Sequence, residues 1–191
     1  MTETALARSE NVFALVGLLS ALLTIVLGGF WLGFFVLGTG LIFGAGLFTT
    51  DSLMQGQSAS AQKPLSRRLL AGAIVAVSYP CSVIILIAVG MLLERLGFTS
   101  RTLIYICGMG IAGVFAALAF YWALKLFTKI ERPALLQLVL IALSTALISG
   151  SADIWGQEFL ILSPRFFISP AWASLLIIGE TGFAWVWGRW S

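Results

Sequence analysis

The sequence predicts an all-α fold, a polytopic transmembrane helix bundle forming a single integral membrane domain over residues 1–191. Three observations carry that expectation. Of 191 residues, 60% are hydrophobic and only 10% are charged, with a mean hydropathy of +1.04. Soluble domains are about a quarter charged, and a chain this poor in charge cannot cover a water-facing surface. The charges also punctuate the chain rather than pervade it. Charge-free runs cover Asn11–Thr50, Leu69–Leu93, Thr102–Leu124 and Pro133–Ala152, and Phe166–Gly188 is interrupted by Glu180 alone.

The last four runs each match the roughly 20 residues that a helix needs to cross a bilayer. The first, at 40 residues, would reach about 60 Å as one straight helix, twice the hydrocarbon thickness, and tilt cannot absorb that factor. Gly28-Gly29 and Gly33 divide it, so a tight helical hairpin is expected. The spans then fall at about 12–28, 31–48, 69–93, 102–124, 133–152 and 171–188. Five spans, with one long or broken first helix, is the alternative.

The loops follow from the same division. Asp51–Arg68 carries Gln55, Gln57, Ser58, Ser60 and Gln62, then Pro64 and Arg67-Arg68, and reads as a flexible connector. The outer loop 153–170 is apolar and broken by Ser163-Pro164 and Ser169-Pro170. With Trp155 and Trp172 at its ends, it is expected in the membrane interface rather than as a re-entrant segment. The polar N-terminal stretch lacks the cationic start and cleavage site of a signal peptide, so the first span is expected to stay.

Charge placement gives orientation. With six spans and both termini on one side, that side holds Arg8, Lys63, Arg67, Arg68, Lys125, Lys129, Arg132 and Arg189, against Arg95, Arg101 and Arg165 on the other. The positive-inside rule then places both termini in the cytoplasm of a cell (inner) membrane. The same rule accounts for the pI near 9.2, and without a basic face or interleaved aromatics no nucleic-acid partner is expected.

Several chemistries are excluded. Histidine is absent, which removes His-ligated haem, the common His-containing zinc sites and His-based triads. Cys81 and Cys107 lie inside apolar runs without a CxxC pair, as packing thiols do. Gly38-Thr39-Gly40 lacks the lysine and strand context of a phosphate loop. No catalytic residue, metal or cofactor is expected, and an enzyme is the least supported class.

One group stands out. Glu180 sits near the centre of the last span, ahead of Trp185, Trp187, Arg189 and Trp190, which read as an aromatic belt with a cation. An intramembrane carboxyl costs on the order of 2.5–3.5 kcal/mol and must face protein or a wet cavity. No other span carries a Lys or Arg in its core, so Glu180 is expected neutral, as a hydrogen-bond donor. At the same depth lie Ser78, Tyr79 and Ser82 on the third span, and Ser144 and Thr145 on the fifth. Pro80 lacks an N–H, kinks the third span and frees the Ala76 carbonyl. These groups form either a substrate or proton site or a polar clamp between helices.

Small residues recur at four-residue spacing, at Gly108, Ala112 and Ala116 and at Gly40 and Gly44. They let helix backbones approach closely, within the monomer in preference to a dimer face. Beyond the lipid bilayer, the expected partners are other membrane subunits or a small-molecule ligand. Two functional expectations result: an accessory or assembly subunit of a larger membrane complex, or a small-molecule or ion transporter or substrate-binding subunit built around Glu180.

Overall fold

A computed structural model describes residues 3–28, 32–55, 65–126, 132–155 and 170–190. These form six α-helices: α1 (Glu3–Gly28), α2 (Leu32–Gln55), α3 (Leu65–Arg95), α4 (Arg101–Lys125), α5 (Arg132–Trp155) and α6 (Pro170–Trp190). Among the described residues there is no strand. Stretches long and apolar enough to cross a membrane occur at Ser9–Leu27, Leu69–Arg95, Arg101–Lys125 and Pro133–Ser151. The first apolar run therefore folds as two helices and not as one. The expected connector 51–68 and outer loop 153–170 are shortened, because α2, α3, α5 and α6 take up residues 51–55, 65–68, 153–155 and 170; what is left of them, 56–64 and 156–169, and the expected turn at 29–31 lie outside the described residues.

The helices overrun the charge-free runs. α1 begins at Glu3, α2 continues to Gln55 past a buried Asp51, and α5 continues through Asp153 to Trp155. A charge does not stop a helix; caps and backbone breakers do. α3 ends where Gly97 takes a φ of 87° and the Phe98 amide bonds the Leu93 carbonyl at 3.1 Å, a left-handed helix stop that suits glycine. α4 starts at Ser100, whose hydroxyl accepts the Leu103 amide at 3.4 Å. At 31 residues, α3 is about 46 Å long and exceeds the hydrocarbon core.

Each helix packs on its neighbours in sequence, and α6 returns against α1 to close a ring. Registers between neighbours run in opposite directions. On α1 and α6, Gly17 faces Glu180 while Gly188 faces Ser9 and Phe13; on α2 and α3, Gly40 faces Ala76 while Gly44 faces Gly72. Gly90 meets Ile104 and Gly108 meets Leu86 between α3 and α4; Gly113 meets Ala142 and Gly150 meets Ile106 between α4 and α5; Gly179 meets Thr145 and Gly182 meets Ile141 between α5 and α6. The arrangement is an antiparallel six-helix ring with both chain ends at one end of it. There the Ser9 hydroxyl donates to the Gly188 carbonyl at 3.0 Å, and Glu10 faces Arg189 at 3.8 Å. The exposed ion pair adds little.

The core is uneven along the ring axis. The half nearer the termini is filled by one cluster with Phe13, Phe43, Leu47, Phe120, Phe183 and Trp187 at its heart. Phe120 is the hub, stacked on Phe43 at 5.9 Å, tilted on Phe183 at 5.2 Å and edge-on to Trp187 at 5.3 Å. The far half has a much smaller cluster of Met109 and Ala146 with Leu86 and Leu175. Leucines and isoleucines on every helix but α6 point outward, the surface a lipid environment requires.

Ring closure depends on Gly17. A Cβ there would stand 2.5 Å from the Glu180 carbonyl oxygen and 2.8 Å from the Ala184 Cβ, so even alanine forces α1 and α6 apart. Gly17→Ala should lower stability by about 1–3 kcal/mol, the usual range for overpacking. Gly72→Ala is the control: nothing lies within 4 Å of a Cβ at that position, and alanine's helix propensity should leave stability equal or up to about 1 kcal/mol higher. Thermal unfolding of both variants in one detergent checks the pair.

Candidate functional site

Pro80 shapes the site from α3. Lacking an N–H, it cannot donate a helical hydrogen bond to the Ala76 carbonyl. That carbonyl instead lies against the backbone of Gly40 on α2, where a Cβ would have no room. A glycine Cα–H pointing at a carbonyl offers partial compensation. The close approach holds α2 and α3 together beside Ser78 and Tyr79.

Between the two core clusters lies a cavity of about 100 Å³. α3 contributes Ser78, Tyr79, Ser82, Val83 and Leu86, and α4 contributes Met109, Ala112, Gly113, Ala116 and Phe120. Thr39 of α2, Ala142 and Thr145 of α5, and Leu175, Leu176, Gly179 and Phe183 of α6 complete it. Tyr79, Phe120 and Phe183 close the end facing the termini, and Leu86, Met109 and Leu175 rim the opposite end. The wall is mostly apolar, with hydroxyls gathered toward the aromatic floor.

Those hydroxyls have a common orientation. Ser78 donates to the Val75 carbonyl at 2.7 Å, Ser82 to the Ser78 carbonyl at 2.7 Å, and Thr145 to the Ile141 carbonyl at 2.6 Å. Ser82 also lies 3.3 Å from the Ala112 carbonyl across the α3–α4 seam. Each hydroxyl has one proton, and each gives it to a backbone carbonyl. What remains available to the cavity from these three is lone pairs.

Glu180 is wholly buried, its backbone set against Gly17 of α1. The Tyr79 hydroxyl faces its carboxyl, yet neither carboxyl oxygen closes a well-formed hydrogen bond. α3 is not a ring neighbour of α6, so this approach crosses the ring's interior. The carboxyl lies beside Tyr79, a residue of the cavity wall, without itself lining the cavity, and the described residues place no Lys or Arg in the interior at its depth.

The structure thus brings Glu180, Ser78, Tyr79, Ser82 and Thr145 together. Ser144 is placed elsewhere, exposed on the outer face of α5, because a helix turns about 100° from one residue to the next. Two features were not singled out in the sequence. Thr39, between two glycines that resembled a turn, is buried and lines the cavity. Trp187, read with Trp185 and Trp190 as part of an interfacial belt, is buried against Phe120; it shares the inward face of α6 with Leu176, Glu180 and Phe183. Trp185 stacks under Arg189 and Trp190 donates to Gln137 at 3.0 Å. Among the described residues no group of His, Cys, Asp or Glu could hold a metal ion.

The small residues serve contacts inside the ring. Gly108 packs on Leu86, Gly40 on Ala76 and Gly44 on Gly72; Ala112 meets Ser82 through its carbonyl and Ala116 packs on the core.

A carboxyl without a well-formed hydrogen bond adds nothing to stability that an apolar side chain of similar size would not. Glu180→Gln and Glu180→Leu should both unfold at or above the wild-type temperature. A structural clamp to Tyr79 would instead make the leucine variant about 0.6–2 kcal/mol less stable. Thermal melts of the three proteins in one detergent separate these outcomes. Comparison with protein-family models, curated proteins and solved structures finds no match to this chain.

Proposed function

We infer that this chain is a six-span membrane protein of a cell (inner) membrane that binds a small molecule in its interior cavity, as a transporter or substrate-binding subunit rather than an enzyme. The observation that carries this reading is an interior cavity walled by apolar side chains and hydroxyls, with the buried Glu180 carboxyl, bare of well-formed hydrogen bonds, next to Tyr79 of its wall. Packed interiors do not keep such a group without a use for it, since intramembrane ionisable residues are costly and mark ligand or ion paths.

Six spans are supported by the ring itself. α2 and α6 stand alongside the four apolar helices, antiparallel to their neighbours, so each runs the same course through the bundle. Arg8, Arg67, Arg68, Lys125, Arg132 and Arg189 gather at the termini end, while Arg95 and Arg101 mark the other. Cytoplasmic termini follow from the positive-inside rule, and the cavity lies near the middle of the spans. The small-residue faces that lent part of the support to the accessory-subunit reading pack within the ring, as at Gly40, Gly44 and Gly108.

Orientation is checked after replacing Cys81 and Cys107. Ser100→Cys should react with a membrane-impermeant maleimide on intact cells, and Ser66→Cys only after permeabilisation; the reverse pattern overturns the topology. Binding is checked by native mass spectrometry of protein extracted from its own membrane. A stoichiometric small molecule, lost when Gly179→Met fills the cavity, is the expected result. Stoichiometric partner chains with no small molecule would favour the accessory subunit.

A further inference from the structure

Among the described residues, the wall of the cavity carries no Asp, Glu, Lys or Arg. Its polar members are Thr39, Ser78, Tyr79, Ser82 and Thr145, and the rest are aliphatic, aromatic, methionine or glycine. Glu180 faces Tyr79 from outside that wall. An ion entering the cavity would give up its hydration and meet no counter-charge, which makes it the most expensive guest for such a space. The ligand is therefore uncharged.

The hydroxyls set a second limit. Ser78, Ser82 and Thr145 each donate to a carbonyl of their own helix and keep lone pairs, while Thr39 and Tyr79 bring hydroxyls that donate as well as accept. One hydroxyl or carbonyl on a ligand can be met here, whichever way its hydrogen bond runs. The remaining wall offers only dispersion contacts, so the rest of the ligand is hydrocarbon. Leu86, Met109 and Leu175 rim the end away from the aromatic rings, and the flexible methionine adapts to the shape of a chain lying there.

Size narrows the class further. An apolar cavity of about 150 Å³ accommodates the six carbons of benzene. A cavity of about 100 Å³ scales to about four heavy atoms. The geometry points to a small uncharged molecule, mostly hydrocarbon, of about four heavy atoms and with at most one hydroxyl or carbonyl, as the ligand of this cavity. This rests on the binding reading above and names its ligand class.

The test uses the full-length protein in detergent and saturation-transfer NMR titrations with ethanol, 1-propanol, 1-butanol and 1-hexanol, and with n-propylammonium and acetate. 1-Propanol should bind, with a Kd about fourfold below that of ethanol, the fold-change equivalent to burying one methylene. The gain should stop by 1-hexanol because the cavity is full, whereas uptake into the micelle keeps rising with chain length. n-Propylammonium and acetate should each bind at least about a hundredfold more weakly than 1-propanol. Gly179→Met and Ala142→Leu fill the cavity from α6 and α5, and each should lose 1-propanol binding while keeping a cooperative melt; if neither folds, the chain-length plateau decides. Either ion binding as tightly as 1-propanol overturns the uncharged assignment, and affinity that still rises through 1-hexanol overturns the size. Both of those results leave the cavity reading standing. If no probe binds, or if both filled variants bind 1-propanol as the wild type does, the cavity reading falls as well.

Discussion

α6 can reach the ring's interior with a carboxyl because α1 leaves it room at one point. Gly17 lets the two backbones meet at Glu180, which closes the ring and fixes the inward face of α6. On that face Glu180 faces Tyr79 across the interior while Phe183 and Trp187 turn into the aromatic cluster around Phe120. A bulkier residue at Gly17 would displace the helix that carries the carboxyl. In a bilayer, where surrounding lipid is as apolar as any side chain, such backbone approach replaces the hydrophobic effect as the organiser of packing.

The two halves of the ring then differ for a simple reason. Aromatic side chains fill the half nearer the termini, while the other half relies on Leu86, Met109, Ala146 and Leu175, which leaves the space between them. Ser78, Ser82 and Thr145 stay tolerable beside that space because each satisfies itself on its own helix. Glu180 has no carbonyl to satisfy it in this way.

Much of this was legible in the sequence, and the remainder was hidden for identifiable reasons. The positions of the helices, the division of the first run and the depth of Glu180 follow from charge-free lengths and glycine placement. Which face of each helix turns inward does not, because membrane helices are apolar all round and show no stripe. Depth alone therefore grouped Ser144 with Thr145, although one is exposed and the other buried. Trp187 passed for an interfacial residue by its position near Arg189, and Thr39 for a turn residue by its flanking glycines. Gly17 was one glycine among 20, and only the approach of α6 gives it a role. Helix ends such as Glu3 and Gln55 were missed because charge marks the edge of the apolar layer, not the end of the helix.

The central claim is that the resting protein holds one neutral carboxyl, Glu180, in its interior, with no cation beside it. Infrared difference spectroscopy of wild type against Glu180→Gln at neutral pH tests this most directly. A protonated-carboxyl stretching band present in the wild type and missing from the variant is the expected result. A wild-type spectrum in which Glu180 contributes only the bands of an ionised carboxylate would contradict it, because an interior anion requires a partner that this ring does not contain among its described residues.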